Sequence, residues 1–239
     1  MDTVVISLGG SILIPGDDDH IFLRKVADLI RDLCEERRIF IVCGGGKIAR
    51  YYISTARELG RPVDELDELG IGVTRLNARL LQMALGDVAV NCMPTTPEEA
   101  VSASVEGKVV VMGGTCPGHT TDAVSAMVAE AAGADRIVNG TSVDAAYTAD
   151  PKKHPDARRI SRMTFKALYE LVNKGAHGAG PSDVFDRLGA EIAMRNKIPI
   201  YIINGRDIDE LRKASGIEGE FTIRVFDRLG RVKDFKVEP

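Results

Sequence analysis

Apolar positions along this chain fall into short solid runs, separated by longer stretches in which they recur every three or four residues. The solid runs cover residues 3–8, 38–43, 88–92, 108–112, 136–138 and 198–203 and are rich in Val and Ile. Such runs, with no polar alternation, predict strands buried on both faces. Between the first two, Phe22, Val26, Leu29, Ile30 and Leu33 keep helical spacing and predict a helix over residues 20–37. The same period predicts helices over 47–59, 73–85, 122–132, 165–172 and 184–194, and a short one over 207–213. Strand and helix in alternation imply right-handed crossovers and a mostly parallel sheet with helices on both faces, an αβα sandwich. The tail differs. Residues 221–237 alternate in two runs around Asp227-Arg228-Leu229-Gly230 and predict an additional β-hairpin. No Pro/Ser-rich or charge-run linker divides the chain, so a single domain over residues 1–239 is expected.

Composition narrows the classes without selecting one. With 44% hydrophobic and 28% charged residues the chain is ordinary globular material. Its net charge of -4 argues against a nucleic-acid binder driven by phosphate neutralisation. The apolar runs are far too short to span a membrane, and the first strand starts so close to Met1 that no leader peptide is expected. The four cysteines, Cys34, Cys43, Cys92 and Cys116, show neither CxxC nor zinc-finger spacing. No disulfide framework is implied, which suits a cytoplasmic location.

The candidate chemistry sits at three strand ends. Gly9-Gly10-Ser11 follows the first strand, and Gly44-Gly45-Gly46-Lys47 follows the second and opens a helix. Gly113-Gly114-Thr115 and then Pro117-Gly118-His119-Thr120-Thr121 follow a later strand. Glycines let backbone N–H groups approach a phosphate, and a following helix N-terminus adds partial positive charge. In a parallel sheet such ends share one edge, where ligands collect. Three of them point to a phosphate-handling site. The P-loop pattern GxxxxGK[ST] does not fit, because Ile41 and Ile48 stand where Gly and Ser or Thr are needed. Gly44 to Ala49 does fit the dinucleotide fingerprint GxGxxA, but the acids at the right distance, Asp64 to Glu68, lie between two helical segments rather than at a strand end. Hydride chemistry is therefore not expected.

The stretches SLGGS, VCGGGKIARYY, ELGIGVTRLNA, MGGTCPGHTTDA and YTADPKK, in this order, resemble the amino acid kinase superfamily, and within it the archaeal-type uridylate kinases. The resemblance spans residues 4–223. It implies ATP and UMP bound side by side, with Mg²⁺, and a hexamer built as a trimer of dimers. Motif by motif, it implies ATP contacts at Ser7, Leu8, Gly9, Gly10, Ser11, Gly46 and Arg50, with Thr141, Ser142, Tyr147 and Asp150 around the nucleoside. It implies UMP contacts at Gly45, Asp67, Gly114, Thr115, Cys116, Pro117, Gly118, His119 and Thr120. Asp122 would orient catalytic cations, and Asp186 matches a site aspartate of the family. His119 is either a phosphate donor or a loop histidine satisfied locally, and Arg75 either a ligand-side cation or a subunit contact.

The sequence also departs from the pattern. Much of the superfamily carries Lys at the position of Ser7, so another cation must serve, and Lys47 is the candidate. Ser142 replaces a common Asn and Ala145 a common Gly. Metal ligands are not assigned by the sequence. Two other readings keep the fold: an isopentenyl phosphate kinase, or a nucleotide-binding storage or regulatory protein. The loop Gly114 to Thr120 stands closer to the uridylate type.

Overall fold

The computed structural model describes residues 1–142, 146–147, 156, 158–174, 185–216, 223–226 and 235–237. Five parallel strands form its centre: β1 (Asp2–Leu8), β2 (Arg37–Cys43), β3 (Val109–Met112), β4 (Arg136–Thr141) and, after two further strands, β7 (Ile200–Asn204). Their spatial order is β3-β2-β1-β4-β7. The chain leaves β1 in one direction to β2 and later returns on its other side as β4, with Leu8 facing both Cys43 and Gly140. That reversal opens a crevice at the carboxyl ends, the place where open α/β sheets bind ligands.

Strand alternation sorts the core into two layers. Val4, Ile6 and Leu8 join Ile39, Ile41 and Val111 beneath α2 (Asp19–Cys34), α4 (Val63–Leu85) and α9 (Ile208–Gly216). Val5 joins Phe40, Val42 and Val110 on the opposite face, beneath α6 (Thr121–Ala132), α7 (Phe165–Lys174) and α8 (Arg187–Asn196). Ser7 shares the side of Val5 and so points at α6. Helix α2 buries Phe22, Val26, Leu29, Ile30 and Leu33 on one stripe, as their spacing predicts. Phe40 is fully buried, and truncating it to alanine would cost about 3–5 kcal/mol.

Several elements depart from expectation. Residues 88–92 form no strand: a 3-10 turn (Gly86–Val88) leads to a single bridge, Ala89 to Val109, and Asn91 and Cys92 are exposed. Pro94 follows closely and lacks the N–H a continuing ladder would need. Helix α4 begins at Val63, ten residues before the expected start, and takes in Asp64, Glu65, Asp67 and Glu68. Its Gly70 blurs the period for a packing reason: a Cβ there would stand 3.2 Å from Ile53 of α3 (Gly46–Glu58). The short helices α1 (Gly10–Leu13) and α5 (Pro97–Ser102) and the strand β6 (Arg159–Thr164) carry too little periodic signal to be predicted. The tail is not a hairpin among the described residues. Its two strands, β8 (Ile223–Phe226) and β9 (Phe235–Val237), each pair with β6, β8 parallel and β9 antiparallel, and β8 also joins β7.

Candidate active site

The first two glycine turns meet in backbone contact, and the first also meets the end of β4. Gly9 N–H donates to the Gly140 carbonyl at 3.3 Å, and Gly44 N–H to the Leu8 carbonyl at 2.9 Å. A Cβ on Gly44 would lie 2.7 Å from the Gly10 nitrogen, and one on Gly46 would lie 2.7 Å from the Gly10 oxygen. Gly46 also holds a φ of +63°, which disfavours any side chain. The glycines here serve close approach as much as turning.

Two adjoining cavities open above them. The first, about 270 Å³, is lined by Gly9, Gly10, Ser11, Arg50, Asp122 and the β4 end Asn139 to Ser142, among others. The second, about 560 Å³, is lined by Asp67, Ile71, Gly114 and the loop Cys116 to Thr121. Gly45, Gly46, Arg50, Thr120 and Thr121 belong to both. This shared wall combines a guanidinium with two helix N-termini, those of α3 and α6. Such ends attract anions. Arg50 is the only Lys or Arg among the described residues lining either cavity, and its guanidinium donates to Ser11 Oγ at 3.1 Å.

Helix α4 braces the second cavity with polar groups along one side. Asp67 Oδ2 accepts from Gly118 N–H at 2.8 Å, where Gly118 holds a φ of +86°. Thr74 Oγ1 accepts from Gly114 N–H at 2.6 Å. The Arg75 guanidinium donates to the carbonyls of Gly114 (3.2 Å) and Thr115 (3.0 Å). It is therefore a brace for the loop. Asn77 Nδ2, buried, donates to the Gly44 carbonyl at 2.8 Å and ties the second glycine turn to the same helix. Sequence alone gives Thr74, Asn77, Asn139 and Gly140 no individual role, and names Thr121 only as part of its loop. Only their neighbours in space give them a role here.

Asp122 sits in the first turn of α6, which Thr120 caps by accepting from Ala123 N–H at 3.2 Å. Ser7 Oγ donates to Asp122 Oδ1 at 3.0 Å. Burial pushes the Asp122 carboxyl up to about 6, and this outweighs the Ser7 hydrogen bond that lowers it; nearby Asp186 adds a smaller upward push. Asp186 caps α8 through Gly189 N–H at 3.0 Å and lines neither cavity.

The expected site residues divide accordingly. Gly9, Gly10, Ser11, Gly46, Arg50, Thr141 and Ser142 line the first cavity, and Gly45, Asp67, Gly114, Cys116, Pro117, Gly118, His119 and Thr120 the second. Ser7 lies buried beneath them, and the Leu8 side chain belongs to the core. Thr115 faces a neighbouring hollow with Arg75 and Met127. Tyr147 falls in β5 (Ala146–Tyr147), described by its backbone alone, while Ala145 and Asp150 lie outside the described residues. Lys47 is not brought to the site: it is exposed, and Nζ lies 3.3 Å from the Pro15 carbonyl. One step along α3 from Gly46 turns a side chain by about 100°, whereas Arg50 and Ile53 return to the cavity face.

Residues 2–204 match the amino acid kinase family. The chain belongs to that family. Curated relatives include the uridylate kinase of Methanobrevibacter smithii, 42% identical over 91% of this chain and 95% of that protein. The uridylate kinase of Methanocella arvoryzae is 46% identical over 91% and 96%. Among solved structures, the uridylate kinase from Archaeoglobus fulgidus superposes with a TM-score of 0.83 at 40% identity, covering 94% of this chain and all of that one. The UMP kinase from Bacillus anthracis, at 23% identity and a TM-score of 0.78, shares the fold.

Proposed function

We propose that this member of the amino acid kinase family transfers the γ-phosphoryl group of ATP to UMP, giving ADP and UDP for pyrimidine nucleotide biosynthesis in the cytoplasm. The observation that carries the reading is the wall shared by the two cavities. ATP takes the cavity at the ends of β1 and β4, UMP takes the one beside α4, and their phosphates meet at Gly45, Gly46, Arg50, Thr120 and Thr121. A UMP phosphate oxygen attacks the γ-phosphorus, the bond from that phosphorus to the β–γ bridging oxygen breaks, and ADP leaves with that oxygen. The acceptor phosphate is already an anion, so the protein's contribution is alignment and charge stabilisation rather than base catalysis. The N–H groups of the glycine turns and the Arg50 guanidinium supply it. Arg50, not Lys47, fills the cationic role.

Mg²⁺ fits this site as an ion carried by the nucleotide. Among the described residues no three His, Cys, Asp or Glu side chains cluster to hold a resident metal. Among the described residues one carboxylate, Asp122, lines the ATP cavity. Mg²⁺ typically uses one or two carboxylates together with substrate phosphates, and when bound it would neutralise the β- and γ-phosphate oxygens. Asp122 would hold it.

A homo-oligomer, a hexamer as a trimer of dimers, belongs to the same reading. Helices α3 and α4 expose Tyr51, Tyr52, Leu69, Leu76 and Met83, and Tyr52, Leu69 and Leu76 line one hollow between them, apolar surface of the kind that marks an interaction site. No described helix is long and apolar enough to cross a membrane. The test is ADP release from Mg-ATP with UMP, CMP, AMP, GMP and isopentenyl phosphate offered separately. A strong preference for UMP is expected. Preference for isopentenyl phosphate, or ATP binding without transfer to any acceptor, overturns the reading.

A further inference from the structure

Among the polar side chains of the acceptor cavity, His119 is the one whose ring nitrogen carries a local hydrogen-bond relay. His119 and Cys116 line this cavity and also the adjoining hollow of about 440 Å³ formed with Arg75, Thr95 and Met127. Neither lines the ATP cavity. Both residues therefore border a part of the acceptor cavity that is not shared with the ATP cavity, the side to which a nucleotide anchored by its phosphate at the shared wall directs its base.

Two groups converge on one ring nitrogen. Cys116 Sγ lies 3.2 Å from His119 Nδ1. Thr115 Oγ1 lies 3.5 Å from the same nitrogen and 3.8 Å from Cys116 Sγ. A thiol is a weak donor and a weak acceptor, and a hydroxyl can do either. When Thr115 Oγ1 donates to Cys116 Sγ and the thiol donates on to Nδ1, that nitrogen accepts and the proton of a neutral imidazole goes to Nε2. The ring then offers an N–H of fixed polarity.

Fixed polarity is what distinguishes the two pyrimidines. Uracil presents a carbonyl oxygen, an acceptor, at the position where cytosine presents an amino group, a donor. We propose that His119 is a specificity-determining residue whose Nε2–H donates to a carbonyl oxygen of uracil and opposes cytosine, and that Cys116 and Thr115 are positioning residues that hold it in this tautomer. This rests on reading the second cavity as a nucleoside monophosphate site.

The experiment compares kcat/KM for UMP and CMP in the unaltered protein, His119→Gln, Cys116→Ala and Cys116→Ser. In parallel, long-range proton–nitrogen NMR reads the His119 tautomer, assigned by its loss in His119→Gln. The unaltered protein is expected to favour UMP by about tenfold or more, the scale on which a mismatched polar contact discriminates. In His119→Gln the terminal amide can turn either its oxygen or its nitrogen to the base, so the ratio should fall by roughly tenfold. Cys116→Ser, which keeps a donor, should preserve both ratio and tautomer. Cys116→Ala should lower the ratio and mix the tautomers. An Nδ1–H tautomer in the unaltered protein overturns the proposal, as does an equal loss for UMP and CMP in His119→Gln, which would mark a phosphate contact. Failure of the unaltered protein to phosphorylate UMP at all would remove the functional reading itself, and this inference with it.

Discussion

Replacing Asp122 by asparagine should make the protein more stable and less active at once. The carboxyl sits near 6 in the folded protein against an ordinary 3.8, chiefly because burial disfavours its charged form. A group whose folded value is raised binds its proton more tightly when folded. The folded state is therefore penalised as pH rises: not at all below about pH 4, increasingly between about 4 and 6, and fully above. The gap of about 2 units, at about 1.4 kcal/mol each, sets an upper bound near 3 kcal/mol at pH 8. Solvent in the cavity beside Asp122 reduces this, and about 1–3 kcal/mol is the working range. Asparagine removes the charge and can keep its partners. Its carbonyl can accept from the Asp186 backbone N–H, and its amide can donate to Ser7 Oγ, because the hydroxyl can turn to accept.

Urea unfolding of both proteins without nucleotide, at pH 4.5, 6 and 8, measures the difference. The variant should gain about 1–3 kcal/mol at pH 8, less at pH 6 and little at pH 4.5. On a chain of this size that is a rise in Tm of roughly 2–10 °C at pH 8. Turnover at pH 8 should fall about 100-fold, the scale for losing one charged group that faces transferring phosphates. A gain equal at all three pH values would mean that repacking, not ionisation, is responsible. No gain at pH 8 would refute the burial argument, and unchanged turnover would remove Asp122 from the chemistry.

Other sites give sharper yes-or-no outcomes. Gly46→Ala places a Cβ 2.7 Å from the Gly10 oxygen in a residue at φ +63°, so it should cost more than about 2 kcal/mol and abolish ATP binding by calorimetry; a well-folded variant that binds ATP normally contradicts the close-approach argument. Thr74→Val removes the acceptor for Gly114 N–H and should cost about 1–3 kcal/mol while raising KM for UMP more than KM for ATP; equal effects on both would mean that Thr74 does not act through the acceptor loop. Arg50→Ala should lower kcat/KM by about 100-fold or more, whereas Lys47→Ala should stay within about threefold, as expected for an exposed side chain away from the site; the reverse ranking would return the cationic role to Lys47.

The parts of this molecule that the sequence displays are those governed by one local rule. The alternation of Val4, Ile6 and Leu8 against Val5 and Ser7 is readable because burial on two faces leaves few other arrangements. The glycine turns are readable because only glycine tolerates such backbone contact. What the sequence conceals depends on direction or on a distant partner. Lys47 follows the glycines directly but points off the site by one helical step, and Arg50, three residues on, points in. The early turns of α4 are hidden because Gly70 and Gly72 interrupt the apolar period, although at Gly70 the missing side chain is what admits α3. Thr74 and Asn77 show no signal alone. They matter because the loops they hold, 32 and more residues away in the chain, fold back onto α4.

Serine at position 7 changes the electrostatics of the site more than its shape. The family resemblance places lysine there in many relatives, and a cation at that point would lie against Asp122. Here a neutral hydroxyl occupies the position and donates to the carboxylate. Burial outweighs the Ser7 hydrogen bond and the Asp186 backbone N–H, which offset only part of its cost, and the Asp122 carboxyl rises to about 6. The positive field at the junction comes from Arg50 and the N-termini of α3 and α6, all on the wall shared by both cavities. A bridging lysine would sit on the ATP side and serve the donor phosphates first. In the proposed reading, charge on the shared wall instead faces the point where the phosphoryl group passes between the two nucleotides, and so acts where charge redistributes in the transition state.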